Sequence, residues 1–353
     1  MSFRHKKIAM CLSGGGTRAM AFHAGVLKCL AESGGFENID KISTVSGGSL
    51  LVGLIFKLNN YRWPTSSEYN NKLYYQVREY LCENSLMWQS IKQLKKPLNF
   101  RYILSRANLV SLALQSDWGI SATMSQLPAV PEWSINGTTA ENGKRFRFKR
   151  DNIGDYVTGY ASAKKFLLAD AMSVSAAFPG GIGPFSLNTK EYSWEKRRWG
   201  EDEGSAQEVF IDAKKLRIYD GGVYDNLGLE PFFDQSKASA KEDVDFIICS
   251  DASAPLKSGF TYWELNPWRL KRIMDITSEQ SRALRIRTFI GYLIRNRGAG
   301  YLININENTY QDSLPDGTKV AHYPTSLKKF KMADFDAIAK MGYRIFQDKI
   351  KLF

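Results

Sequence analysis

A chain of 353 residues with 44% hydrophobic and 24% charged side chains carries enough apolar material for one or two globular domains, which excludes a disordered, collagen-like or disulfide-stapled polypeptide. No uninterrupted apolar run approaches the roughly 18 residues that a bilayer-spanning helix needs, the best stretch being Leu50 to Phe56. The formal net charge of +12 favours anionic partners (phospholipid headgroups, nucleotides or nucleic acid) and serves solubility equally well.

The first seven residues are basic, but the apolar segment behind them runs at once into Ser13-Gly14-Gly15-Gly16 with no cleavage-site pattern. The expectation is therefore a cytoplasmic chain without a secretory leader. Lys7 to Leu12 predicts a short strand, and Thr17 to Ala31 a helix with Met20, Ala24, Leu27 and Leu30 on one face, closed by Gly34-Gly35. Lys41 to Val45 predicts a second strand, followed by Ser46-Gly47-Gly48 and a second helix from Ser49 to Leu58. This strand-helix-strand-helix order implies an α/β fold on a mostly parallel sheet with right-handed crossovers. Residues from about 59 to 130 carry helical periodicity without a strand pattern and predict a helical insertion, a lid or cap. Ser134–Asn136 and Arg145–Phe148 predict two strands joined by the turn-rich 137–143, and Phe246–Cys249 another buried strand. A basic, helical extension from about 255 to 353 closes the chain, with an amphipathic helix over Ala333–Ile350. The whole reads as a single domain. Cys11, Cys29, Cys82 and Cys249 lack close paired spacing, so neither disulfides nor a metal site are expected.

Three short motifs carry chemistry. Ser46 lies between a strand and a helix and is followed by Gly47 and Gly48, the setting a nucleophile elbow requires. Thr44 stands where the Gly-x-Ser-x-Gly pattern has its first glycine, so the match is partial. Gly14, Gly15 and Gly16 also follow a strand and open a helix, where successive amides can face one oxygen as in an oxyanion hole or phosphate cradle. A P-loop is excluded by the missing Gly-Lys-Ser/Thr ending, and a dinucleotide fingerprint by Ala19 at its third glycine. Arg18 either steadies this loop, meets an anionic substrate group or sits on the surface. Asp220, followed by Gly221 and Gly222, stands on a turn that can approach another loop closely; by itself it reads first as a carboxylate-capped turn.

In order and spacing these three elements resemble the patatin-like phospholipase family. Ala171-Met172-Ser173-Val174-Ser175-Ala176-Ala177-Phe178-Pro179 is similar to that family's small-residue, proline-ended segment, and Asn136-Gly137-Thr138 to its Asn-x-Thr block. The resemblance covers most of residues 6–250 and implies a three-layer α/β/α fold. It further implies Ser46 as nucleophile, Asp220 as general base, the amides of Gly14, Gly15 and Gly16 as oxyanion hole, and no cofactor or metal. The histidine count agrees with a Ser-Asp dyad: only His5, His23 and His322 occur, and of these only His23, on the first predicted helix, lies near a motif.

The activity implied is hydrolysis of fatty-acyl esters of membrane phospholipids by a bacterial family member, peripheral at the inner membrane surface. Some members serve antiphage defence under cyclic-nucleotide control, which residues 59–130 and 255–325 have room to house; a homo-oligomer is a further partner considered, and nucleic acid is not expected. A soluble esterase or thioesterase of the same fold, and a nucleotide- or membrane-binding module with a silent site, are the alternatives. Between Arg269 and Arg297 eight basic residues face only Asp275 and Glu279, interleaved with aromatics from Trp268 on. That run reads first as a solvated helix face with core aromatics, with contact to anionic headgroups or a nucleotide as the alternative.

Overall fold

The computed structural model describes residues 3, 6–179, 181–198, 201, 203–260, 266, 268–307, 310 and 312–351. The fully buried Ile8–Leu12 forms β1 and leads through the glycine turn into α1, Gly16–Glu32. β2, Ile39–Thr44, is followed by α2, Gly47–Leu58. Ser66–Glu68 (α3) opens with a Thr65 capping box, and the chain continues through one π-helical turn into α4, Tyr74–Glu83. Then come α5, Leu86–Lys92, and α6, Ala107–Ser116, joined by 3-10 turns. The expected helical insertion is thus largely helical as far as Ser116; beyond it the chain turns and makes an isolated bridge from Thr123 to Leu167.

β3, Glu132–Thr139, begins a run of strands comprising β4, Arg145–Phe148, β5, Asn152–Asp155, and β6, Gly159–Ser162. α7, Leu168–Ser175, is followed by β7, Phe185–Asn188, β8, Trp194–Lys196, β9, Gln207–Val209, and β10, Lys215–Asp220. After α8, Gly222–Asp225, a small hairpin pairs β11, Phe233–Asp234, with β12, Ser239–Ala240. β13, Phe246–Asp251, α9, Trp268–Arg295, β14, Gly300–Asn304, and α10, Met332–Lys351, complete the order.

Among the described residues the main sheet runs β14-β13-β1-β2-β3-β4-β5-β6-β8-β9, with β10 also on β3 and β7 on β10. It is parallel from β14 to β3, and its central strands β1 and β13 are covered on both faces. Beyond β3 it is antiparallel, the geometry that short hairpin connections allow. β3 is longer than expected, because Gly137, Thr138 and Thr139 pair with β10 while Gly137 and Thr138 also pair with β4. The expected C-terminal extension is woven into the fold: β14 pairs with β13, and α10 lies against α1 so closely that a Cβ on Gly25 would collide with the Ala339 backbone, and one on Gly342 with Phe22. No described helix is long and apolar enough to cross a membrane.

Candidate active site

The turns after β1 and β2 and the end of β10 meet at one edge of the sheet. β1 and β2 are parallel neighbours in the register Leu12↔Thr44, so the turns that follow them emerge side by side, where open parallel sheets place their ligands. A Cβ on Gly14 would stand 3.2 Å from the Cβ of Ser46. β3 continues the level of β2 through Thr44↔Ile135, and the pair Asp220↔Gly137 then sets Asp220 two residues beyond it. Ser46, Asp220 and the glycine turn, 206 positions apart at the extremes, are therefore brought together by strand register alone.

Ser46 takes φ 51°, ψ −116° between β2 and α2, a conformation sparsely populated by residues with a side chain. What holds it is a file of hydroxyls. Its N–H donates to Ser175 Oγ at 2.9 Å; Ser175 Oγ meets Ser49 Oγ at 2.8 Å, Ser49 Oγ meets Thr44 Oγ1 at 2.7 Å, and Trp133 Nε1 donates to Thr44 Oγ1 at 2.9 Å. Thr44 accordingly replaces glycine because its side chain has a place in this file, and the elbow forms with it. Ser49, Trp133 and Ser175 escaped the sequence reading as site residues; the small-residue segment quoted for the family contains Ser175, without showing where its hydroxyl points. Gly47 and Gly48 rest against the carbonyls of Gly16 and Leu12.

Asp220 is 3% exposed. Burial raises its carboxyl from 3.8 to about 7, against the hydrogen bonds from the Gly222 N–H and the Ser46 hydroxyl, which act to lower it. The Gly222 bond is 2.7 Å, and the main chain of Asp220 is fixed by its N–H to Ala177 O at 3.0 Å and by Thr138 Oγ1 donating to its carbonyl at 2.9 Å. Gly221 lies on the backbone of Asn136, whose Nδ2 donates to Ser43 Oγ and to the Thr44 carbonyl, both at 2.9 Å. The Asn-x-Thr block thus ties the serine turn to the aspartate turn. Asn226, also unassigned from sequence, sits between the glycine turns and donates to Ser253 Oγ at 2.8 Å.

The three glycines of the first turn differ. Gly14 N–H donates to Asn226 O at 3.1 Å, so its amide is occupied. Gly15 and Gly16 have no such acceptor among the described residues, and both lie at positive φ, 147° and 60°. Gly16 must also lack a side chain because the backbone of Ser326 leans directly on it. Thr17 N–H donates to Ser326 O at 2.9 Å.

Arg18 is 1% exposed, and its guanidinium donates to the carbonyls of Ala252, at 3.0 Å, and Tyr323. It steadies the loop and does not face a substrate anion, which corrects both the anion-contact and the surface readings. Burial lowers it to about 10, offset in part by Asp251, so it is cationic at neutral pH. Truncating Arg18 to alanine leaves two carbonyls unpaired and a void. The denaturant midpoint is expected to fall by the equivalent of roughly 2–4 kcal/mol, as equilibrium unfolding followed by circular dichroism would register.

His23 is fully buried, with Nε2 donating to Ser13 O at 3.0 Å and Nδ1 against Ser250 Oγ at 2.8 Å. Burial lowers it to about 4; it is a neutral strut with both nitrogens engaged, and no base for Ser46. His322 is exposed, and His5 lies outside the described residues.

The basic run on α9 is also revised. Arg282 pairs with Asp251 and with Glu279 at 2.6 Å, and Arg285 with Glu230 at 3.0 Å. Lys271 pairs with Asp275 at 2.6 Å, and Phe289 and Tyr292 are core. Arg282 and Arg285 thus brace the loops after β13 and β10 instead of facing an anionic surface. The Trp268 side chain lies outside the described residues.

A family model described as patatin-like phospholipase matches residues 10–233. No curated protein matches the sequence. Human GIVD cytosolic phospholipase A2 is similar in structure, with a TM-score of 0.58 at 13% identity over 98% of this chain and 59% of that one. The same human enzyme in complex with methyl gamma-linolenyl fluorophosphonate inhibitor and terbium chloride gives 0.55 at 15%, over 98% and 58%. The chain thus spans about three-fifths of the length of these structures, and at such identities the likeness concerns the fold.

Proposed function

Because this chain belongs to the patatin-like phospholipase family, we propose that it is a serine lipid acyl hydrolase cleaving fatty-acyl esters of membrane phospholipids, with Ser46 as nucleophile and Asp220 as general base. The observation that carries the assignment is a serine held at φ 51° on a strand-to-helix turn with its hydroxyl on a buried carboxylate. Asp220 takes the Ser46 proton as Oγ attacks the ester carbonyl carbon. The oxyanion that forms is stabilised by the amides of Gly15 and Gly16, narrowed from the three expected because Gly14 N–H already bonds Asn226 O. Collapse breaks the bond to the leaving lysolipid oxygen, which receives the proton from Asp220. Water, deprotonated by Asp220, then attacks the Ser46 acyl ester; the fatty acid departs and Oγ recovers its proton.

The test is labelling with a fluorophosphonate, read by mass spectrometry, beside fatty-acid release from phosphatidylcholine–phosphatidylglycerol vesicles with and without a panel of cyclic nucleotides. One adduct on Ser46 together with release is the expected result. Release only with a nucleotide would add an activator to the reading. Labelling with turnover of short dispersed esters but no vesicle hydrolysis points to an esterase or thioesterase, and no label at all to a silent binding module.

A further inference from the structure

The geometry points to residues 85–106 as the face by which this protein lands on an anionic lipid surface, an arch whose two ends are tied to opposite sides of the Ser46 site. The inference rests on the lipid-hydrolase reading above.

The segment exposes what a folded chain normally covers. Leu98 is 81% and Leu104 86% exposed, with Trp88, Phe100 and Ile103 each more than half exposed. Single exposed apolar residues are ordinary, but a contiguous set of this size marks a contact surface. Its charge names the partner. From Asn84 to Ser116 the sequence holds no acidic residue, while Lys92, Lys95, Lys96, Arg101 and Arg106 are all exposed cations. Among the described residues none of the five pairs with a carboxylate. Tryptophan, leucine and phenylalanine interleaved with unpaired cations is the chemistry that settles at the boundary between acyl chains and anionic headgroups. Of the α9 arginines that the sequence offered for this task, Arg282 and Arg285 are turned inward, while Arg287 and Arg295 stay exposed.

Position supplies the second argument. At the front of the arch Met87 N–H donates to Leu327 O at 3.0 Å, and the preceding residue, Ser326, accepts the Thr17 N–H and leans on Gly16. At the rear, Asn108 at the start of α6 accepts the Ser186 N–H at 3.2 Å. The β7–β10 register sets Ser186 beside Arg217, three residues before Asp220. The glycine turn on one side and the aspartate strand on the other therefore carry the two feet of the arch. Phe178 and Val223, both exposed and each close in sequence to a residue that fixes the aspartate turn, add further exposed apolar surface. A lipid surface meeting the arch presents its acyl esters to Ser46.

The experiment reads binding apart from chemistry. Sedimentation with phosphatidylcholine vesicles, with and without phosphatidylglycerol, is measured in a Ser46→Ala background so that no lipid is consumed. Leu98→Asp/Leu104→Asp and, separately, Lys95→Glu/Lys96→Glu are each expected to lower partitioning to anionic vesicles by roughly ten-fold or more, the second effect shrinking as salt is raised. With Ser46 intact, both double variants should melt as wild type does and turn over a dispersed short-chain p-nitrophenyl ester at the wild-type rate, since their side chains touch neither core nor site. Unchanged partitioning of both variants overturns the inference, as does partitioning lost through Arg287→Glu on α9 instead, or no binding of the parent protein to any vesicle, which would leave a protein partner for this face. A wild-type protein that binds vesicles through the arch yet hydrolyses neither lipid nor dispersed ester sinks the hydrolase reading and leaves the docking face standing.

Discussion

Replacing Ser46 by alanine is expected to reduce kcat/KM for phospholipid and for dispersed esters by at least about three orders of magnitude, leaving the fold intact. The size of the loss follows from the geometry: among the described residues, Ser46 is the one hydroxyl that bonds the buried Asp220 carboxyl. A companion variant separates chemistry from strain. Ser46 is held at φ 51°, where a Cβ is unfavourable; Ser46→Ala keeps that Cβ and Ser46→Gly removes it. Both variants should be inactive, while glycine unfolds at higher denaturant than alanine by the equivalent of roughly 1–2 kcal/mol. Retained activity in either variant would end the nucleophile assignment. Equal stability would show that the file of hydroxyls from Trp133 to Ser175, and not the absence of strain, sets the backbone there.

Asp220→Asn should be nearly as damaging to catalysis, by about three to four orders of magnitude, and yet should stabilise the protein above neutral pH. Burial holds the carboxyl near 7 in the folded chain against 3.8 for an ordinary aspartate. A group whose proton is bound more tightly in the folded state contributes stability that is fully present below about pH 4 and disappears as pH rises through 7. At pH 8 the folded protein carries a buried charge at a cost of up to roughly 4 kcal/mol, which the neutral amide avoids while still accepting from Gly222 N–H. Denaturant midpoints should therefore coincide near pH 4 and diverge in favour of the variant by pH 8. The same ionisation governs the wild-type rate. Because the base must be deprotonated, kcat/KM should fall about ten-fold per pH unit below 7 and level off above it. A pH-independent rate, or a variant no more stable at pH 8, would remove Asp220 from the role of base.

The opening of the fold was legible because an unbroken apolar strand, a helix at 3.6-residue spacing, a short β-branched strand and an apolar stretch of helical length are punctuated by glycine clusters. Ser46 and Asp220 could be picked out from glycine-flanked turns together with the family resemblance, and Arg269–Arg297 was visible as a basic stretch. What stayed hidden depends on partners distant in sequence. Arg282 and Arg285 read as surface charge because Asp251 and Glu230, which turn them inward, lie 31 and 55 residues away. The Gly14 amide looked as free as its neighbours because nothing local announces that Asn226 O claims it. The meander of β5, β6, β8 and β9 left no pattern either: its strands are three or four residues long, too short for alternation to register, and are specified by the strands beside them. The arch was read as a helical insertion, but periodicity says which residues form a face and not whether anything covers it.

The contacts of residues 323–327 with the glycine turn bear on how the protein is made. A nascent chain that has just delivered Asn304 to the folding domain already contains every strand of the main sheet, with Ser46, Asp220 and the glycines in hand. It still lacks the Ser326 backbone that supports Gly16, the Tyr323 carbonyl that holds Arg18, and the helix that locks onto α1 through Gly25 and Gly342. Synthesis proceeds from the N-terminus and sheet assembly can run ahead of it, so the glycine turn gains its support only after the strands around it have paired.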